Sequence, residues 1–240
     1  MFGSDQHRQH ISGQFNHELE TLKHDILAMG GLVESQLNTA LESLIERNSE
    51  KAIRVIKRDA EVNTLEVKID QECARILARR QPAASDLRLV LAIIKINMDL
   101  ERVGDEAAKI ARQAKVIIES NVSGTQFAQL RRMGRKIVDS LRAALDALAR
   151  HDAGAALLVV RGDSSVDQEY ARSMQTLVAD MKAEPHNIST ILNEIWALKA
   201  LERIGDHASN IGEHIIYLVR GQDVRHMAPD AVDDRLAKPH

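Results

Sequence analysis

The chain has 240 residues, 44% of them hydrophobic but only 2% aromatic, and a formal charge of −3. That length admits one large domain or two small ones, and that charge argues against capturing nucleic acid or an anionic membrane through a basic face. Strands draw on aromatic and β-branched residues while Ala and Leu favour helices; twelve Gly and four Pro are too few for the turns of an all-β fold, so the expected class is all-α.

The single cysteine, Cys73, excludes an internal disulfide framework and fits a reducing compartment. It stands at helical spacing with Ile69 and Ile76 and is expected in the core. The N-terminus is polar, without the apolar run of a signal peptide, and no stretch reaches the roughly 18 apolar residues of a membrane span. A cytoplasmic protein is expected, with docking on a membrane protein open to it.

In chain order, residues 1–14 read as a loose N-terminus. The first helix is expected from Phe15 to Arg47, with Leu19, Leu22, Ile26, Met29, Val33, Leu37, Leu41 and Leu44 recurring at steps of three and four. Gly30-Gly31 lies inside it, which implies a close helix contact or a kink. Ser49 is the expected cap of a second helix, Glu50 to Arg80. Gln81-Pro82-Ala83-Ala84 turns the chain, and Ser85 or Asp86 caps a third helix running to Ser120. Asn121-Val122-Ser123-Gly124-Thr125 is the best linker. A fourth helix follows from Gln126 to Arg150, a fifth from Ala155 to Met181 and a sixth from Ser189 to Arg220, where Gly221 is the expected C-cap. Trp196 is expected on the apolar stripe of the sixth helix, and residues 221–240 read as a disordered tail.

The second half repeats the first. Leu100-Glu101-Arg102-Val103-Gly104-Asp105 returns as Leu201-Glu202-Arg203-Ile204-Gly205-Asp206. Met29-Gly30 matches Met133-Gly134, and Asp59 and Val62 match Asp163 and Val166, at a different but common offset. A period of this kind sets the architecture: two tandem, quasi-symmetric three-helix bundles, residues 15–120 and 121–220, their sequential helices antiparallel because the connections are short.

Each repeat carries Glu-x-x-x-Asp, two carboxylates one helical turn apart that repel each other unless water or a cation intervenes. On a helical wheel Leu100, Val103, Ala107 and Ile110 face inward, Glu101 and Asp105 lie together on the flank, and Gly104 lets a neighbouring helix approach. The candidate metal ligands are Glu101 and Asp105 in one half, and Glu202, Asp206 and Asn210 in the other. The second row runs on through His214 at steps of four, an oxygen and nitrogen donor set suited to Fe, Mn, Mg or Zn. The first row meets Lys109, a counter-ion, so the second site is expected to be the stronger. A further polar row, Asp59, Asn63, Glu66 and Asp70, and its counterpart Asp163, Asp167 and Tyr170, would complete the coordination if they face the motif helices. The plain alternative is a solvated, salt-bridged helix surface. No Glu-x-x-His pair of the di-iron type, phosphate-binding loop, dinucleotide fingerprint or Gly-x-Ser-x-Gly is present.

The two Glu-Arg-Val/Ile-Gly-Asp segments, with the stretches His10–Asn16, Ala78–Arg88 and Ile216–His226, resemble the PhoU family over nearly the whole chain. The resemblance implies a cytoplasmic, all-helical, often dimeric negative regulator of the phosphate-starvation response. Such a regulator acts between the ATPase subunit of the phosphate ABC transporter and a membrane sensor histidine kinase, and limits phosphate uptake without catalysis. It also implies, for some members, multinuclear iron or zinc clusters on the Glu-x-x-x-Asp rows, here Glu101 with Asp105 and Glu202 with Asp206. Asn210 matches a position that can extend such a row, and Lys109 departs from it. The competing readings are a metal-dependent enzyme using a metal-bound water and a purely structural helical module.

Overall fold

The computed structural model describes residues 3–120, 127–225 and 227, with the backbone alone for 3–12. Six long helices follow one another: α1 (Gly3–Ile45), α2 (Ser49–Arg80), α3 (Ala84–Glu119), α4 (Ala128–Arg150), α5 (Ala153–Ala183) and α6 (Ile188–Arg220), with a 3-10 turn at Pro185–Asn187. The described residues contain no strand, and no helix among them is long and apolar enough to cross a membrane. The all-α class and the duplicated plan are borne out. The expected linker at 121–125 lies outside the described residues.

Several ends differ from expectation for local reasons. α1 begins at Gly3 rather than Phe15, since no proline interrupts this stretch and one interior glycine, Gly13, costs only about 1 kcal/mol. Asn48, not Ser49, caps α2, its side chain accepting from the Lys51 amide at 3.1 Å. Neither Ser85 nor Asp86 caps α3: the helix opens at Ala84 behind Ala83, which offers no capping side chain. Asp152 caps α5 through the Ala155 amide at 2.9 Å. Gly221 ends α6 at φ +69° as expected. The chain beyond it does not unravel at once, because Gln222 and Val224 are buried; the rest of the expected tail, 226 and 228–240, lies outside the described residues.

Within each half the three helices pack pairwise, and the halves then join through two seams, α3 on α6 and α1 on α4. One continuous apolar core runs through both. The α1–α4 seam shows the internal symmetry directly. A Cβ on Gly30 would sit 2.5 Å from Leu145, and one on Gly134 would sit 2.9 Å from Leu41. The two contacts are reciprocal, glycine of each half receiving leucine of the other. Gly30 therefore answers to a close helix contact, while Gly31 faces nothing within 4 Å. At the α5–α6 contact a Cβ on Gly212 would lie 3.0 Å from both the Ala156 carbonyl oxygen and Val160.

These glycines predict opposite results. Gly31→Ala fills open space in a helix interior and should stabilise the protein by up to about 1 kcal/mol. Gly212→Ala gains the same propensity but presses on a backbone oxygen that cannot swing aside, and should destabilise by about 1 kcal/mol net. Thermal melting of the two variants checks both, and equal shifts of one sign would refute the packing account.

Cys73 is fully buried and inert, its thiol pushed up to about 12 by burial and the nearby Asp70 charge. Trp196 is a correction: it is 56% exposed, and Leu192 is 39% exposed. The inward stripe of α6 runs through Ala197, Leu201, Ile204 and Ala208. Trp196 stands about 100° from Ala197 and about 80° from Ile204 on the helix, which turns it to solvent.

Candidate functional site

The rows on α5 and α6 do converge. Carboxylate oxygens of Asp167, Glu202 and Asp206 lie within 4.8 Å of one another. Asp163 joins them: its carboxyl is raised by burial and then by the Asp167 and Glu202 charges, and its Oδ1 is buried without a hydrogen-bond partner. Burial, with Glu202, Asp163 and Asp167 adding repulsion, pushes Asp206 up to about 6. Lys199 reaches the group, donating to Glu202 Oε2 at 2.5 Å, with its Nζ 5.4 Å from the Tyr170 ring centre. Four carboxylates on two adjacent helices, held in mutual repulsion, suit a hard or borderline cation.

The α2–α3 cluster is the same arrangement in the first half. Glu101 is raised by burial, then by Asp105, with Glu66 and Asp59 adding to it. Burial and Asp105 likewise raise Asp59, whose Oδ1 is buried without a partner. The expected facing of the two polar rows on the motif helices is thus observed in both halves. What differs is the counter-ion. Arg102 reaches back to Glu101 Oε2 at 3.4 Å and to Asp105 Oδ2 at 3.5 Å. Lys109, expected to neutralise this site, instead donates to Glu106 at 2.9 Å.

Asn210 and His214 leave the row to which they were assigned. Each step of four residues overshoots a full turn by about 40°, so Asn210 stands about 80° and His214 about 120° around α6 from Glu202. There they meet α3 rather than α5. Asn210 donates to Asp99 Oδ1 at 3.3 Å and His214 Nε2 lies 3.2 Å from Asp99 Oδ2. His207 Nδ1 completes the group at 2.9 Å from Oδ1. Burial pushes the Asp99 carboxyl up, but bonds with His207, His214 and Asn210 outweigh it and hold it below its usual range. The duplication could not reveal this group, because the residue matching Asp99 in the second half is Ala200.

The motif glycines serve the clusters in a way the helical wheel only half showed. A Cβ on Gly104 would meet Val62 at 3.2 Å, and one on Gly205 would meet Val166 at 3.1 Å and Ile137 at 3.0 Å. Side chains, not a neighbouring backbone, occupy the space. The matched valines seat α2 on α3 and α5 on α6, with Asp59 and Asp163 three residues upstream, and so set the depth at which opposed carboxylates meet.

Comparison with known proteins adds an independent observation. The family model described as "PhoU domain" matches the chain twice, over residues 26–114 and 130–215. A Pseudomonas putida protein named "Phosphate-specific transport system accessory protein PhoU homolog" is 52% identical over 227 residues, 95% of this chain and 89% of its own. The Escherichia coli K12 protein named "Phosphate-specific transport system accessory protein PhoU" is 43% identical, covering 95% of each chain. Among solved structures, that of PhoU from Pseudomonas aeruginosa superposes with a TM-score of 0.84 at 51% identity, covering 87% of this chain and 100% of the other. The phosphate transport system regulatory protein PhoU from Streptococcus pneumoniae gives 0.80 at 32% identity, covering 88% and 99%.

Proposed function

This chain belongs to the PhoU family, and from that membership we propose that it is a non-enzymatic accessory and regulatory protein of a phosphate-specific transport system. The carrying observation is the extent of the relationship: 43–52% identity over 95% of the chain, across both halves, to proteins named for that role. In this reading it works in the cytoplasm as a homodimer, couples the ATPase subunit of a phosphate ABC transporter to a sensor histidine kinase, represses the phosphate-starvation response and limits uptake. The duplicated fold supports an adaptor, since two quasi-equivalent faces offer one surface to each of two partners.

The carboxylate clusters fit a cation of the Fe, Mn, Mg or Zn type by donor chemistry and by the buried, unpartnered oxygens of Asp59 and Asp163. Glu202, Asp206, Asp167 and Asp163 would hold it in the second half, and Glu101, Asp105, Asp59 and Glu66 in the first. Such a cation supplies positive charge to which a partner's carboxylate or phosphate group can bind. The chain's own contribution is to hold the oxygens close and partly dry.

The test is a pull-down of the purified chain with the transporter ATPase subunit and with the kinase, with and without phosphate, alongside a phosphate-responsive reporter. Both partners are expected to be retained, and the folded Glu101→Ala, Glu202→Ala double variant is expected to derepress the reporter. If neither partner binds under either condition, the adaptor reading is lost; if the double variant represses normally, the clusters have no regulatory role.

A further inference from the structure

Each motif places an arginine directly after its glutamate, and the two arginines do different things. Arg102 pairs within its own motif, with Glu101 at 3.4 Å and Asp105 at 3.5 Å. Arg203, the matching residue, crosses the α3–α6 seam and its Nη1 lies 2.8 Å from Glu106 Oε1. Glu106 is only 2% exposed and also takes Lys109 at 2.9 Å. The helices run antiparallel here, so Arg203 lies opposite Glu106 and Arg102 opposite the residue that matches it, His207. That residue is engaged with Asp99 at 2.9 Å and offers Arg102 no carboxylate. One difference between the halves, Glu106 against His207, thus breaks the symmetry of the arginines.

We propose that the motif arginine is a built-in competitor for the motif carboxylates, and that Glu106 is a positioning residue that withdraws Arg203, leaving one guarded and one open cation site. This rests on reading the clusters as cation sites, and replaces Lys109 with Arg102 as the reason that the second is the stronger. A guanidinium and a cation use the same oxygen lone pairs. At the first cluster a cation must displace Arg102 from both carboxylates. At the second, among the described residues, Lys199 holds one oxygen of Glu202, and no ion pair is formed by Asp163, Asp167 or Asp206. The seam between the halves therefore sets the affinity of a site that it does not touch.

The experiment titrates Mn²⁺ alone into the metal-stripped full chain, with free Mn²⁺ read by electron paramagnetic resonance. Two classes of site are expected, and Asp206→Asn should remove the tighter. Arg102→Ala, at a side chain 57% exposed, should tighten the weaker class by about threefold or more. Glu106→Met should weaken the tighter class by a similar factor, and Glu106→Met with Arg203→Ala should restore it. Methionine keeps the buried volume and removes a buried charge, a replacement that cores tolerate; Lys109 is exposed enough to turn to solvent, and Arg203 is exposed enough to swing back to its own motif carboxylates. Should Glu106→Met fail to fold by circular dichroism, Arg102→Ala decides alone. If Mn²⁺ binds but Arg102→Ala leaves the weaker class unchanged, or Asp206→Asn removes the weaker class, the arginine inference is wrong and the cation reading stands. If the unaltered chain binds no Mn²⁺, both are wrong.

Discussion

Glu202→Gln combined with Asp206→Asn should lower the Mn²⁺ affinity of the α5–α6 cluster by at least about 100-fold. Losing a residue that merely orients a ligand weakens metal sites by 10- to 100-fold, and this pair removes two ligand charges outright. The same substitutions should stabilise the metal-free chain, by up to about 1 kcal/mol, because they delete two carboxylates that repel each other and their α5 neighbours, an effect that water screens since Asp206 and Asp167 are exposed. The two effects have opposite signs and one cause. A cluster that raises its own carboxyls is under electrostatic strain, which a cation relieves. Titration calorimetry gives the affinity, and urea denaturation in chelator-treated buffer gives the stability. A double variant that binds as before, or is less stable without metal, would remove the cluster as a cation site. Glu101→Gln with Asp105→Asn is the internal comparison and should leave the tighter class in place.

Repetition carried most of what could be foreseen. The stripes Leu100, Val103, Ala107, Ile110 and Leu201, Ile204, Ala208, Ile211 are buried as the helical period requires, and the polar rows of α2 and α5 face the carboxylates on their flanks. The errors come from extending a local rule too far. A row at steps of four stays on one face for a single turn, which is why Glu202 and Asp206 remain together while Asn210 and His214 pass to another helix. Trp196 fails for a similar reason, one residue's rotation from the stripe.

What was not legible depends on contacts between the halves. Nothing in the periodicity of α3 or α6 says that they pack on each other, so it gives the seam residues Asp99, Glu106, Arg203 and His207 no partners across it. The matched pairs Glu106 with His207 and Asp99 with Ala200 hinted that the repeats diverge there. Divergence of that kind becomes meaningful only when the two positions are known to face one helix seam, with Arg203 opposite Glu106. The offset between Gly30 with Leu145 and Gly134 with Leu41 was present in the sequence too, but only the reciprocal contact turns it into a symmetry.

Glu194→Gln should stabilise the protein by about 3 kcal/mol at pH 8 and by less than about 1 kcal/mol at pH 5. Glu194 lies on α6, only 2% exposed, with Oε1 lacking a hydrogen-bond partner. Burial, and then the Asp180 charge, push its carboxyl up to about 7. In the unfolded chain the group releases its proton near 4.5. Between these values the folded state holds the proton more tightly, so the stabilising contribution is complete below about 4.5 and is lost as pH rises through about 7. Above that the native state carries a buried, unpaired carboxylate. Glutamine keeps the shape and the hydrogen-bonding capacity, cannot ionise, and so removes the penalty only where glutamate would have been charged. Urea midpoints of the two proteins at pH 5 and pH 8 measure the difference directly, and at pH 8 the melting temperature should rise by about 6–12 °C. A gain that is the same at both pH values would mean that folding does not raise the Glu194 carboxyl, and a loss at pH 8 would mean that it is ionised and partnered in the native state.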